Sequence, residues 1–442
     1  MRSRLGCLQC YILNSVVKPR IGAHLLPAIY FCFPYKGVGG VSLLFLRLAE
    51  HLAGKGLADC YIVDYADGFM AKNRSEPRLK IIYYDPDFKS VYIPESAIAV
   101  FQSMTPWSIY PGLKFHPSAR IFYWNCYPFN LVPLLPGFRK RMQGSEVFAR
   151  QVLNTVLRAY LFKVRRMINL MVLKKALIFM DRPNLEVTER FLGVKIKIPK
   201  FIPIPLASSK ICLLSKSKKV FAKDGMRVAW VGRLVEFKFH TLYRFLLELN
   251  RIQLTLGVTL EVVIIGDGDF MCDLIALSSG MPNLNFSFID HISPSMMEEY
   301  LANNVDMLVA MGTSALEGAR LGLPTLLLDV AHAPVSSNYK FQWLHERNGF
   351  TLGDVVNSRS FDEKGNSLER KMFEVLLHYQ EVSKKSLDYF KKNHELSCVA
   401  KAFLRAVYRS DCRYSEFVSA KIVRRGILYT AFSVLRKGLG FT

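Results

Sequence analysis

Acidic residues are scarce in this chain: 36 Asp and Glu stand against 59 Lys and Arg, a formal charge of +23 over 442 residues. The excess is uneven. Residues 139–175 hold ten Lys or Arg and one acid, Glu146, while residues 401–442 hold nine against Asp411 and Glu416. Two segments therefore carry sixteen of the twenty-three charges, which marks basic faces rather than a general basicity. Long hydrophobic runs are also missing. No uninterrupted apolar stretch reaches the ~18–20 residues that span a bilayer, which excludes a polytopic membrane protein. The start, Met1-Arg2-Ser3-Arg4, is basic, but no long apolar stretch or small-residue cleavage site follows it, so no secretory signal is expected.

Nine cysteines lie scattered along the chain, and the one C-x-x-C, Cys7 and Cys10, lacks the second ligand pair that a structural zinc site wants. An odd number of thiols, most of them inside apolar strand-like runs, suits a reducing cytoplasm. Signatures of RRM, KH, zinc-finger and helix-turn-helix modules are absent. The basic residues also fall on amphipathic rather than aromatic-interleaved segments, so no nucleic-acid partner is expected. Disorder is excluded by composition, with 51% hydrophobic, 12% aromatic and only 21% charged residues.

The length predicts two or three domains, each able to bury its own core. In the first half, strand-like runs at 27–33, 58–64, 79–84, 97–101, 120–124 and 176–180 alternate with helical patterns. The first helix follows the loop Pro34-Tyr35-Lys36-Gly37-Val38-Gly39-Gly40, with Leu43, Leu44, Leu46, Leu48 and Leu52 on its apolar side. A polar, basic stretch over 208–225 reads as a linker. A second alternating series follows: strands at 227–231, 260–265, 284–288, 306–310 and 325–329, with helices near 241–250, near 294–302 and from 314. Strands alternating with helices predict parallel sheets covered on both faces. Two such α/β domains, each Rossmann-like and doubly wound, place a cleft between the carboxyl ends of their sheets, where ligands of such folds bind.

Three features of the second half converge on that cleft. Gly232-Arg233-Leu234-Val235-Glu236-Phe237-Lys238 follows the first strand; glycine permits close backbone approach, Arg forks onto phosphate oxygens and Lys supplies a point charge. A solvated Arg and Lys in a surface loop is the equal alternative for this segment alone. Gly266-Asp267-Gly268 ends the second strand. Gly312, Thr313 and Ser314 sit where a strand turns into a helix, and N–H groups at such a helix start suit an anion; Ser314 is also suited to be a plain N-cap. Glu317, early in that helix, can accept hydrogen bonds from a ribose diol or simply face the helix dipole favourably. Gly322-Leu323-Pro324 closes the helix.

The order G-R-L-x-x-x-K, I-I-G-D-G and an acidic helix ending in G-L-P resembles the donor-binding domain of GT-B glycosyltransferases, especially glycosyltransferase family 4, over roughly 225–330. It extends more loosely to Gly37, Gly39 and Gly40. The resemblance implies a nucleotide-sugar-dependent transferase of GT-B fold. Its domains would be an acceptor domain at 1–207, a linker at 208–225, a nucleotide-sugar domain at 226–385 and a basic helical extension at 386–442. By that resemblance Arg233 and Lys238 bind the donor diphosphate, Glu317 holds the ribose, and the Gly37–Gly40 loop approaches from the opposite domain. No metal or other cofactor is expected, because basic side chains and helix N-termini neutralise the leaving diphosphate. The common pattern has a second glutamate eight positions before Glu317; here Val309 stands there. The Gly312-Thr313-Ser314 turn looks like a variant found in some surface-polysaccharide transferases.

For a base that accepts the acceptor's proton, the sequence offers His116, Asn125 and Tyr127 around the 120–124 strand, with the polar edge of Trp124-Asn125-Cys126-Tyr127-Pro128 expected to line the cleft. Two D-x-D matches, Asp85-Pro86-Asp87 and Asp267-Gly268-Asp269, suit metal-dependent transferases of another architecture; chance occurrence explains them better.

The basic segment 150–171 predicts one amphipathic helix. Leu153, Val156, Leu157, Tyr160, Val164, Met167, Ile168 and Met171 form its apolar side, and Arg150, Arg158, Lys163, Arg165 and Arg166 occupy much of the rest. With the terminal run Lys421-Ile422-Val423-Arg424-Arg425 it suggests an anionic membrane surface as partner, and hence a peripheral enzyme at the cytoplasmic face of a bacterial inner membrane. The expected task is transfer of a sugar to a surface glycan or lipid-linked acceptor. A sugar-nucleotide epimerase of related fold and a non-catalytic polyanion-binding protein are the alternatives.

Overall fold

The computed structural model describes residues 26–37, 39–87, 90–131, 146–211, 225–356 and 365–423. The Cys7–Cys10 pair, most of the expected linker with Cys212, the basic residues 139–145 and the terminal run from Arg424 lie outside the described residues.

The apolar runs of the first half become six parallel strands in one sheet: β1 (Ile29–Cys32), β2 (Cys60–Asp64), β3 (Lys80–Tyr83), β5 (Ile98–Gln102), β7 (Arg120–Asn125) and β8 (Leu177–Phe179), in the order β3-β2-β1-β5-β7-β8. Two short strands, β4 (Val91–Ile93) and β6 (Leu113–Phe115), pair separately. The central strands are buried along their length, as Val, Ile and Phe runs covered on both faces should be. In the second half β9 (Met226–Val231), β10 (Leu260–Ile265), β11 (Asn285–Ile289), β12 (Met307–Ala310) and β13 (Thr325–Leu327) are parallel, and β14 (Gln342–Trp343) is antiparallel to β13. Their order is β11-β10-β9-β12-β13-β14. The winding direction reverses between β1 and β5 in the first sheet and between β9 and β12 in the second. These are the switch points at which adjoining loops part and leave a crevice.

The helix after β9 runs over Glu236–Leu256, longer at both ends than the periodicity suggested. Gly257, at φ +66, stops it in the left-handed conformation that glycine adopts without strain. The expected single helix over 150–171 is two, Glu146–Asn154 and Arg158–Leu173. Leu161, Val164, Met167, Ile168 and Met171 are buried as expected, but the break turns Val156 outward to 70% exposure. Arg165, expected on the solvated basic face, instead donates from Nε to the Leu192 carbonyl at 2.6 Å.

The last part of the chain connects the two domains. Helix Leu368–Asn393 belongs to the second domain, packs against Glu236–Leu256 and Ser314–Leu321, and continues through position 385. The chain then turns at His394, and helix Leu396–Arg409 packs against Gly40–Gly54 of the first domain. Phe403 fills that domain's core, stacked on Phe31 at 5.7 Å and Trp124 at 5.5 Å between ring centroids. At the crossing, Leu206 N–H donates to His394 O (2.8 Å) and Leu396 N–H to Leu206 O (2.9 Å). His394 is fully buried, and burial pushes its pKa down to about 4. The imidazole is therefore neutral, with Nδ1–H donating to the Ile204 carbonyl at 2.9 Å. Among the described residues no helix is long and apolar enough to cross a membrane.

Candidate functional site

At the switch point of the second sheet the loops leaving β9 and β10 are tied together. Gly232 N–H donates to Ile265 O (3.0 Å), Leu234 N–H to Asp267 O (2.7 Å) and Phe270 N–H to Leu234 O (3.1 Å). A Cβ at Gly266 would lie 2.4 Å from the Gly232 carbonyl oxygen, and one at Gly268 2.3 Å from that of Leu234. Their φ values of +127° and +146° also disfavour any side chain. The G-D-G turn is thus the scaffold that holds the Gly232–Leu234 loop, and the Asp267 side chain points to solvent.

Arg233 is exposed on this loop, and Lys238 stands half-buried in the first turn of helix Glu236–Leu256. The Lys238 ammonium sits over Gly232, with Nζ 3.3 Å from where a Cβ there would be. Burial lowers its pKa, and the neighbouring Arg233 guanidinium lowers it further. Neither cation makes an ion pair among the described residues. Both lie beside the positive end of a helix dipole, where a lone Lys is disfavoured. Glu236 opens the helix and is exposed, and no ion pair joins it to either cation among the described residues, so two unpaired cations beside a helix N-terminus suit an anion.

Across the switch point, β12 leads through Met311 into Gly312 (φ +72) and helix Ser314–Leu321. The N-cap is Thr313, with no side-chain cap, so Ser314 is the first helical residue rather than the cap. The Gly312 N–H is given to the Leu352 carbonyl at 2.7 Å, which removes it from the expected anion donors. The start of the helix, at Thr313 and Ser314, remains open to an anion. Glu317 is not a free carboxylate: its Oε2 accepts from Arg320 at 2.7 Å, and Arg320 also meets Glu298 at 3.0 Å. Burial raises the Glu317 pKa, opposed by Arg320 and by Arg47. Arg47 comes from helix Gly40–Gly54 of the first domain, so this carboxylate is electrostatically coupled to the opposite lobe. Sequence reasoning missed Arg47; 270 positions separate it from Glu317, and nothing local links them.

On the first domain, the loop after β1 is anchored by Asp64 at the end of β2. The fully buried carboxylate accepts from the N–H groups of Tyr35, Tyr65 and Met70, each at 2.9 Å, and of Ala71 at 3.1 Å. The Tyr35 ring covers Gly37 and Gly39: a Cβ at Gly37 would lie 2.9 Å from its hydroxyl, and one at Gly39 3.2 Å from its ring. Gly40 has open space around it and begins the helix.

Of the three candidate bases, the structure places two away from the surface of the cleft. His116 precedes β7 and so lies at the amino end of the sheet, away from the cleft, with Nδ1 2.8 Å from Ser118 Oγ. Asn125 is at the carboxyl end but fully buried, donating from Nδ2 to Thr188 Oγ1 at 3.1 Å. Trp124, expected to show a polar edge to the cleft, is core, with Nε1 donating to Ile202 O at 3.2 Å. Tyr127 is 41% exposed. Asp85 accepts from the Asp87 N–H at 3.0 Å in a local turn, which accounts for that D-x-D by backbone geometry.

No family model matches the chain, and no curated protein matches it in sequence. Among solved structures, a glycosyltransferase from Rickettsia africae superposes with a TM-score of 0.52 at 12% identity, covering 86% of this chain and 97% of its own. HepE from Anabaena, solved with UDP and glucose, gives 0.46 at 11% identity, covering 86% and 99%. WaaG, a glycosyltransferase involved in lipopolysaccharide biosynthesis, gives 0.44 at 13%, covering 85% and 98%. Two doubly wound domains, a C-terminal helix returned to the first, and the likeness to the Rickettsia africae structure over 86% of this chain establish the GT-B fold.

Proposed function

We propose that the protein is a nucleotide-sugar-dependent glycosyltransferase of hexosyltransferase type, adding a sugar to a glycan or lipid-linked acceptor in bacterial surface-polysaccharide synthesis. One observation carries the reading: Arg233 and Lys238 stand without an ion-pair partner among the described residues at the carboxyl end of β9, and β12, the next strand in the sheet, leads to helix Ser314–Leu321. The fold alone would not suffice, since one architecture hosts many chemistries.

In this reading the diphosphate of the donor lies against Arg233, Lys238 and the Thr313–Ser314 helix start. Glycosyl transfer passes through an oxocarbenium-like state while negative charge builds on the departing phosphate. Fixed cations and N–H dipoles aimed at that charge lower the barrier without reorganising. A metal ion is not required for this neutralisation, because the chain's own cations supply it. Glu317 exchanges its Arg320 hydrogen bond for the ribose hydroxyls. The Tyr35-covered glycine loop closes the site from the first domain, which takes the acceptor. The enzyme works at the cytoplasmic face of the inner membrane, attracted by its basic segments.

Purified protein screened with UDP-, GDP- and CMP-sugars tests this. One nucleotide sugar is expected to raise the melting temperature, because binding to the native state stabilises it, and to be consumed only when an acceptor is present. Turnover without a second substrate would instead mark an epimerase. Arg233→Ala and Glu317→Ala are each expected to abolish turnover with the fold intact, since Arg320 keeps Glu298 as partner. Full activity in both variants would refute the assignment.

A further inference from the structure

On the flank of the first domain, helix Arg158–Leu173 and the segment Ala420–Ile422 border a groove of about 680 Å³. Its lining combines two chemistries. Val156 and Phe162 are apolar yet 70% and 65% exposed, next to Ile422. Arg158, Arg166 and Lys421 share the lining with them, and among the described residues no acidic side chain lines the groove. None of these three cations makes an ion pair among the described residues.

Lys421 adds an independent signal. It follows helix Tyr414–Ser419 with φ +54, the left-handed conformation that glycine or asparagine usually supplies at a helix end. Its N–H closes the turn onto Val418 O at 2.9 Å. A lysine held there is strained relative to glycine, and it is one of the residues that line the groove.

The groove's position is fixed by Tyr160, two residues after Arg158 at the same end of the helix. Its hydroxyl donates to the Leu131 carbonyl at 2.7 Å, and its ring meets Trp107 edge-on at 5.3 Å. Leu131 and Trp107 lie in the loops leaving the carboxyl ends of β7 and β5. The Arg158 end of the groove is therefore on the cleft side of the first domain.

We infer that this groove is the surface by which the protein docks on an anionic phospholipid bilayer, with Phe162 and Val156 entering the headgroup–acyl boundary and Arg158, Arg166 and Lys421 meeting lipid phosphates. An exposed aromatic and a β-branched side chain among cations match an interface that is apolar beneath and anionic above. A nucleic acid would use the cations and leave the apolar centre unsatisfied. The inference deepens the membrane part of the proposed function and rests on it. Docking here presents the cleft side of the acceptor domain to the membrane.

Sedimentation of the full chain with vesicles of phosphatidylcholine, alone or mixed with phosphatidylglycerol, tests it. Wild type is expected to bind the mixed vesicles and not the neutral ones. Arg158→Gln and Arg166→Gln should each lower the partition coefficient about fivefold, as expected when one cation near an anionic leaflet is lost. Phe162→Ala should weaken binding on mixed vesicles at every salt concentration. Lys421→Gly should weaken binding about as much as the Arg variants while leaving the melting temperature unchanged or higher, an outcome a merely structural lysine would not give. Wild-type binding that all four variants retain would overturn the groove and leave membrane attachment elsewhere intact. No binding to either vesicle would overturn both, with nucleotide-sugar binding still reporting separately on the transferase reading. Vesicle release by RNA, with RNA binding lost in the same variants, would assign the surface to nucleic acid and overturn the inference.

Discussion

Lys238→Met separates a ligand-binding cation from a structural one. In the unliganded protein the ammonium is half-buried, sits against Gly232, has Arg233 as its charged neighbour, and lies at the positive end of a helix. Burial, the Arg233 guanidinium and the helix end each oppose its charge. Methionine keeps the length and the apolar stem without the charge, and removes an unfavourable dipole interaction of about 0.3–1 kcal/mol. The variant should therefore be as stable as wild type or more so, with a melting temperature higher by about 1–4 °C for a domain of this size. Binding should move the other way. A hydrogen bond to a charged group is worth about 1.5–3 kcal/mol, so affinity for the nucleoside diphosphate should fall roughly 10- to 150-fold. Titration calorimetry and urea denaturation on the same preparation read both effects. Lost stability beyond about 1 kcal/mol with unchanged diphosphate affinity would show that Lys238 supports the fold rather than the ligand, and the reasoning would fail.

Two further perturbations test the architecture. Phe403→Ala removes the aromatic that stacks on Phe31 and Trp124, and should cost about 3–5 kcal/mol in urea denaturation; a loss below about 1 kcal/mol would mean that the C-terminal helix is dispensable to the first domain. His394 is neutral in the folded chain with a pKa near 4, whereas an unfolded histidine titrates near 6.5. The unfolded state then binds more protons between those values. Its contribution, on the order of 3 kcal/mol, is complete above about pH 6.5 and is lost as pH falls toward 4. His394→Asn keeps a donor for the Ile204 carbonyl and does not titrate, so its stability should depend less steeply on pH across that window; an unchanged slope would show that the folded chain does not hold this histidine neutral.

The sheets were legible because buried parallel strands are short apolar runs, and the loops after β9 and β10 because glycine is forced wherever two backbones meet, as Gly266 and Gly268 do against Gly232 and Leu234. What failed depended on direction and distance. His116 lies near β7 in sequence but at its amino end, and a strand's polarity relative to the cleft is a property of the whole sheet. Asn125 lies at the correct end yet is consumed by Thr188, a partner 63 residues away. Val156 fits a helical stripe until the break at 155–157 rotates it outward. The pairing of Glu317 with Arg320 follows ordinary i,i+3 helix spacing, whereas its coupling to Arg47 exists only once the lobes face each other.

The most direct measurement is a crystal structure with the nucleoside diphosphate that the screen selects. The β-phosphate should lie within hydrogen-bonding distance of both Arg233 and Lys238 and face the N–H groups of Thr313 and Ser314, with Glu317 turned from Arg320 toward the ribose. A diphosphate bound away from this switch point, or one that leaves Arg233 and Lys238 both out of contact with it, would contradict the account.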